Sequence, residues 1–238
     1  MRIEVVPTVE EIRFEQINNR VIIVIDVLRA SSTIVTALGN GFTAVIPVDT
    51  IGQATSLRSA DVLLAGERHC RKIPDFDCNN SPTELAAQQA MGRQLVLTTT
   101  NGTRAIQKAE RASLVLIGCF LNATACITHA LSQRLDITLY CAGTRGQFAL
   151  EDGLLAGLLI NRAEKLVPSL QLCDLGKALQ ASYLQLADKL SEILPCTTTG
   201  KRLVQHQLSA DLAYCAQVDR YSIVPYVVQK RILPHLVS

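Results

Sequence analysis

The run VIIVIDVLRASSTIVTAL, residues 21–38, decides the fold. Its first five residues are all β-branched and apolar, the pattern of a central strand covered on both faces. The strand stops at Asp26. Arg29, Ser31, Ser32 and Thr33 follow, and Ser31 or Ser32 can cap a helix that runs to about Leu38, where Gly39-Asn40-Gly41 ends it. A carboxylate, a guanidinium and three hydroxyls therefore stand beside a helix start at the carboxyl end of a buried strand. In an open α/β sheet such ends share one edge, so turns far apart in sequence can line one crevice there. An oxyanion together with a metal ion is the guest that this set of groups suits.

Working outward, the same apolar run ending in a polar turn recurs in VLLAG (62–66), LVLTTT (95–100), LVLIG (114–118) and ITLYCAG (137–143). Residues 3–6, 44–48 and 221–228 read as further strands, for a total of about eight. The stretch 67–82 is polar, carries Cys and Pro, and is long for a connection in a compact domain, which marks it as functional. From Leu170 to Gln217 the pattern is helical. The prediction is α/β: a three-layer α/β/α body on a mostly parallel or mixed sheet with a helical C-terminal section. It forms one domain over 1–238, or two intimate lobes.

Composition narrows the function. Apolar residues make up 48% and aromatics 4%, so the core is built from aliphatic side chains. Formal charge is +2, from 23 basic and 21 acidic residues, with no basic run interleaved with aromatics, which argues against nucleic acid. The eight cysteines, at 70, 78, 119, 126, 141, 173, 196 and 215, include no C-x-x-C pair and read as buried thiols of a reducing cytoplasm. The first residues, MRIEVVPTVEEIRFEQ, carry acids where a signal peptide needs an apolar stretch, and no run reaches the length of a membrane span. A cytoplasmic protein is expected.

Two turns suit an anion: Arg29 to Thr33, and Thr99-Thr100-Asn101-Gly102-Thr103-Arg104. Asp26, Glu67, Glu151 and Asp152 all fall at strand ends or at a helix start, and carboxylates converging on one edge would suit a hard cation such as Mg²⁺. Other motifs fall short. Cys196 to Arg202 matches C-x₅-R, but such phosphate loops follow a strand and this one follows a helical segment, so chance explains it. His69-Cys70 reads as a loop histidine beside a buried thiol. A haloacid-type site needs a second Asp at position 28, which is Leu, and neither a Walker nor a Rossmann loop is present.

The segments VIDVLRASSTIVTAL, LLAGERHCRKIPDFDCNNSP, LVLTTTNGTRAI, GCFLNA, CAGTRGQFALEDGLLAG and DLAYCAQVDRYSIVP together resemble the 2-phosphosulfolactate phosphatase (ComB-type) family. The resemblance implies a Mg²⁺-dependent phosphatase that converts 2-phosphosulfolactate into sulfolactate on the route to coenzyme M. The positions it carries over are Asp26, Arg29, Ser31, Ser32, Glu67, Arg68, Asn80, Ser81, Thr99, Thr100, Asn101, Gly102, Thr103, Arg104, Asn122, Thr144, Glu151 and Asp152. Asp75 and Asn79 depart from it, standing where family members often carry Gly; Asn tolerates a left-handed turn, Asp less so.

On this reading Asp26, Glu67, Glu151 and Asp152 are the candidate metal ligands, and Asp26, Arg29, Glu67 and Asp152 the candidate catalytic set. Arg29, the Ser31 and Ser32 amides and the Thr100–Thr103 turn would stabilise the transferring phosphoryl group. Arg68, Arg104 or Arg145 would take the substrate's carboxylate and sulfonate. The expected partner is a small phosphorylated (sulfo)hydroxyacid, with neither nucleic acid nor membrane, and homo-oligomerisation is left open. The alternatives are a non-catalytic binding protein for such an acid, or another Mg²⁺ enzyme acting on one.

Overall fold

The computed structural model describes residues 1–236, built on an eleven-stranded mixed sheet. The strands are β1 (Arg2–Val6), β2 (Arg20–Ile25), β3 (Val45–Pro47), β4 (Val62–Arg68), β5 (Arg71–Lys72), β6 (Gln94–Thr98), β7 (Leu114–Gly118), β8 (Asp136–Cys141), β9 (Gln171–Leu172), β10 (Ile223–Val228) and β11 (Arg231–Leu236). The helices between them are α1 (Ala30–Gly39), α2 (Ile51–Ser56), α3 (Pro82–Ala87), α4 (Gly102–Lys108), α5 (Ala123–Ser132) and α6 (Leu150–Leu166). The C-terminal section adds α7 (Asp174–Leu186), α8 (Leu190–Ile193), α9 (Thr198–Gln205) and α10 (Ser209–Cys215).

The sheet order is β5-β4-β6-β3-β11-β10-β7-β2-β8-β1-β9. Pairing divides it into two parallel units. One consists of β7, β2, β8 and β1 with β9 at its edge; the other is β3, β6 and β4 with β5 antiparallel at its edge. Between them lies the β10–β11 hairpin, antiparallel to both neighbours and joined to each through one residue pair, Tyr226 with Leu116 and Ile232 with Val45. Pro225 faces Pro234 across the hairpin, and prolines have no N–H to give to a ladder, which suits so thin a seam.

Eleven strands replace the expected eight. β5 and β9 are two residues each, too short to show a period, and β11 has its apolar pattern broken by Pro234. The idea of one shared sheet edge also needs revision. The antiparallel steps through the hairpin reverse the second unit relative to the first, so in a flat sheet their carboxyl ends would lie on opposite edges. Sheets twist by roughly 20–25° per strand, and the five steps from β6 to β2 accumulate about 100–125°. The second unit therefore swings round, and the turns after β2 and β6 meet: a Cβ built on Gly102, just beyond β6, would lie 2.8 Å from Asp26 Oδ2.

Val21–Ile25 are each at most 1% exposed, so β2 is covered on both faces as its sequence predicts. α6 packs along α7, while α10 packs against both α9 and α3 and so brings the C-terminal helices to the carboxyl end of β4. Among the described residues no helix is long and apolar enough to cross a membrane.

Candidate active site

The turns after β2, β4, β6 and β8 line one pocket together with α9. Its wall includes Asp26, Leu28, Arg29, Glu67, Asn80, Thr99, Thr100, Asn101, Thr144 and Arg145. The predicted residues on this wall come from five separate turns or loops, brought together by the coiling of the sheet.

The β2–α1 turn is built around Asp26. Its Oδ1 accepts the Ala30 N–H at 3.2 Å, its carbonyl accepts the Ser31 N–H at 2.9 Å, and its own N–H donates to Ser31 Oγ at 3.0 Å. The peptide between Leu28 and Arg29 is cis. The helix begins at Ala30 with Arg29 at the cap, so Ser31 and Ser32 lie in its first turn instead of capping it. Ser32 Oγ donates to Val27 O at 2.8 Å. Both serines are buried and serve the turn itself. The first N–H groups of α1 are thus engaged by Asp26, and the expected anion site at this helix start is occupied by the protein's own carboxylate.

Burial is the main reason that the Asp26 carboxyl has its pKa raised to about 7; Glu67 and Glu151 push it further, while the Ala30 N–H and Arg29 draw it down. Asp152 stands behind the wall. Its two oxygens accept the Val27 N–H at 2.9 Å and the Gly143 N–H at 3.0 Å, tying the β2–α1 turn to the turn after β8. Burial, then the charges of Asp26 and Glu151, raise its pKa well above the carboxylate range. Glu151 is also buried, and that burial is the main reason that its pKa is raised, with the nearby Thr199 and Thr197 drawing it down. Both Glu67 oxygens serve in positioning: Oε1 accepts the Thr100 N–H at 3.0 Å and its hydroxyl at 2.9 Å, and Oε2 accepts the Cys70 N–H at 2.8 Å.

Arg29 lines the pocket, but one edge of its guanidinium is committed. Nη1 donates to Asp211 Oδ2 at 2.8 Å in an ion pair whose side chains are 2% and 1% exposed. Asp211 Oδ1 also accepts from Ser81 Oγ at 2.7 Å and Thr83 Oγ1 at 2.6 Å. Ser81 caps α3, its hydroxyl accepting the Glu84 N–H. The β2–α1 turn, α3 and α10 are thus locked at one buried carboxylate.

Several predicted residues lie elsewhere. Asn122 is fully buried and seams β7 to β10: Nδ2 donates to Ile117 O and Ile223 O at 3.1 Å each, and Oδ1 accepts the Cys119 N–H at 2.9 Å. Arg68 turns away from the pocket, onto Glu67 O, Asp49 O and Thr98 Oγ1. Arg104 is half-exposed and pairs with Glu10 at 3.4 Å. These two arginines line a second hollow on the far side of the Thr99–Thr100 wall. Thr103 closes the β6–α4 turn onto Thr99, its N–H donating to the Thr99 hydroxyl at 3.3 Å and its own hydroxyl to the Thr99 carbonyl at 3.1 Å. Asp75 takes the left-handed conformation (φ 63°) that a glycine would adopt, whereas Asn79 does not.

His69, Cys70, Thr199 and Arg202 also line the pocket, and sequence reading did not place them there. The Cys196–Arg202 run held a signal in the wrong guise: Cys196 is exposed and donates to Glu192 O, while Thr199 and Arg202 reach the pocket from α9. For Asp211 the only signal was its place at the head of DLAYC.

Among the described residues no three His, Cys, Asp or Glu side chains gather in metal-ligand geometry, and of the four predicted carboxylates only Asp26 and Glu67 line the pocket. One oxygen acceptor of the pocket is nevertheless left over. Asn80 Oδ1 is buried with no hydrogen-bond partner in a side chain that is 3% exposed and lines the pocket. The Asp26 carboxylate is crowded by Glu67 and Glu151 without a full counter-charge. A carboxylate and an amide oxygen fit a hard cation that keeps several waters.

The sequence matches the family described as 2-phosphosulpholactate phosphatase over residues 6–230. A Thermotoga petrophila protein, 40% identical over 209 residues (88% of this chain and 89% of its own), is named probable 2-phosphosulfolactate phosphatase. Proteins of Clostridium tetani, 37% identical over 228 residues (94% and 97%), and Clostridium acetobutylicum, 35% identical over 236 residues (98% and 100%), carry the same name. With likeness running through nearly the whole length, this chain belongs to the 2-phosphosulpholactate phosphatase family.

Proposed function

We propose that this pocket hydrolyses the phosphate ester of 2-phosphosulfolactate, or a closely related 2-phospho-hydroxyacid, with the help of Mg²⁺. The observation that carries the reading is one pocket that holds a buried amide oxygen without a partner, Asn80 Oδ1, together with the Asp26 carboxyl and the Arg29 guanidinium. Asp26 and Asn80 would hold the cation, with Glu67 close enough to act on Asp26 electrostatically and to bind through water. When bound, Mg²⁺ would neutralise charge on the phosphoryl oxygens.

The chain's own part is positioning. Arg29 presents the guanidinium edge not used by Asp211, a fixed positive charge for the transferring phosphoryl group. Glu67 holds the Thr100 amide and hydroxyl and thereby sets the wall against which the phosphoryl group would rest. Gly102 gives α4 room to start against Asp26. A buried, pre-set array of this kind needs no reorganisation as charge develops, which is where such sites derive their rate.

The test is phosphate release from phosphosulfolactate, phospholactate and phosphoglycolate, with Mg²⁺ and with EDTA. Release from the first, lost in EDTA and restored by Mg²⁺, is expected, with Asp26→Asn inactive. Ligand binding without release from any of the three would instead favour a binding protein.

A further inference from the structure

Three guanidiniums face this pocket, and they are not equivalent. Arg29 has one edge paired with Asp211 at 2.8 Å. For Arg145 and Arg202 the described residues supply neither a carboxylate within 4 Å nor a side-chain hydrogen bond, although both line the pocket.

Both arginines are mounted on fixed supports. Arg145 sits in a tight turn after β8, in left-handed conformation (φ 53°) between Gly143 and Gly146, closed by paired backbone hydrogen bonds between Thr144 and Gln147. Arg202 lies one turn along α9 from Thr199, so the two share a helix face, and both line the pocket. α9 is held at its start by Thr197, whose hydroxyl accepts the Gly200 N–H at 3.1 Å and donates to Leu194 O at 3.0 Å. At Gly200 a Cβ would lie only 1.8 Å from Leu194 O, so α9 is packed hard against the segment before it. Two cations without partners in a pocket that Asp26 and Glu67 also line call for an anion other than the phosphate.

We infer that Arg145 and Arg202 form a second anion subsite, which grips the sulfonate or carboxylate of a small acid whose phosphate lies at Asp26. The C-terminal helical section thereby sets substrate choice through α9, while the turns after β2, β4 and β6 supply the chemistry. Guanidinium forks match the oxygen spacing of both acid groups and hold them with charge-assisted hydrogen bonds. The inference rests on the phosphatase reading for what occupies the other end of the pocket.

Arg202→Gln, Arg145→Gln and Arg202→Lys are compared with wild type on three esters: phosphosulfolactate, phospholactate, which lacks the sulfonate, and phosphoisethionate, which lacks the carboxylate. Direct calorimetric binding of sulfolactate, which carries no phosphate, runs beside the kinetics. Each Gln variant should raise KM for phosphosulfolactate and weaken sulfolactate binding by roughly 10- to 100-fold, with kcat within a few-fold of wild type. Arg202→Lys should recover part of the loss. The single-acid ester whose KM the Gln change leaves unmoved lacks the group that arginine grips. Unchanged KM and unchanged sulfolactate binding in both Gln variants would overturn the subsite and leave the phosphatase reading standing. Sulfolactate binding that is lost in the variants of a wild type that hydrolyses none of the esters would reject the phosphatase and keep the subsite. A fall in kcat alone would reassign these arginines to the reaction itself.

Discussion

The pocket and the neighbouring hollow share the Thr99–Thr100 wall, and each collects three cations, Arg29, Arg145 and Arg202 in the first and Arg68, Arg104 and Lys108 in the second, yet they differ in what those cations are doing. In the hollow, Arg68 is bound to two carbonyls and a hydroxyl, Arg104 is paired with Glu10, and Lys108 donates to Val9 O at 2.9 Å. In the pocket, Arg29 has one edge on Asp211 and Arg145 and Arg202 are left for a ligand. Density of positive charge is therefore similar on both sides of the wall, and availability is not. Binding chemistry follows the cations whose local partners are missing.

The most severe way to break the difference is to remove the anchor under Arg29. Asp211→Ala leaves a buried guanidinium and two hydroxyls without their acceptor, and loss of one partner of a buried pair costs about 3–5 kcal/mol. Urea unfolding should show that loss, and phosphate release should fall by roughly 100-fold or more as Arg29 loses its fixed position. Replacing both partners, as in Arg29→Met with Asp211→Leu, should restore much of the stability and none of the activity. Activity surviving in the double variant would remove Arg29 from the mechanism.

A smaller insult acts on the wall itself. In Gly102→Ala the new methyl would meet Ala30 Cβ at 2.5 Å and Asp26 Oδ2 at 2.8 Å, so the β2 and β6 turns must part. Overpacking of this kind costs about 1–3 kcal/mol. Phosphate release should drop by more than that stability loss alone predicts, because the displaced atom is the Asp26 carboxylate. Thermal melts and kinetics on the same preparation separate the two effects.

Much of this was written in the chain, and the exceptions have physical causes. The stretch from Val21 to Ile25 announced a doubly covered strand because each of its residues is β-branched and apolar, and the polar turns after β2, β4, β6 and β8 do meet in one pocket. What periodicity could not say is how they meet: the reversal passes through a hairpin in which prolines interrupt the strand signal. Which way a side chain turns was equally hidden. Arg68 and Arg104 stand beside anion-suited turns in sequence and point out of the pocket, because Glu67 O and Glu10 hold them there. Arg202 was passed over because a helix precedes it, and Asp211 because its partners lie 182 and 130 residues away.

The pocket should also differ from the hollow in its response to pH. Burial raises the pKa of Asp26, Glu151 and Asp152, so in the metal-free protein the folded state holds protons that the unfolded chain has released. Stability is then fully present below the ordinary carboxylate range and is lost as pH rises through the folded-state values, about 7 for Asp26. Each such group contributes at most about 1.4 kcal/mol per pH unit. Melts in EDTA should show falling stability from pH 4.5 to 7.5, with Asp26→Asn flattening part of the slope. Mg²⁺, by favouring the ionised form of Asp26, should flatten the same part in wild type. An identical slope in Asp26→Asn would mean that Asp152 and Glu151 carry it.

The smallest effect belongs to the hollow, and it tests the comparison most directly. Arg104→Ala removes a guanidinium whose side chain is 49% exposed and whose one carboxylate partner, Glu10, is 46% exposed at 3.4 Å. Exposed pairs of this kind contribute between nothing and about 1 kcal/mol, since water screens them and both long side chains lose freedom to form them. Thermal stability should therefore move little, and KM for phosphosulfolactate should stay within about two-fold of wild type, against the roughly 10- to 100-fold rise expected for Arg202→Gln. Both residues are arginines carried on helices, and each lines a cavity walled by Thr99 and Thr100, so charge number alone cannot separate them. A KM rise in Arg104→Ala equal to that in Arg202→Gln would show that the substrate senses the summed positive field on both sides of the wall, and the distinction between committed and uncommitted cations would fail.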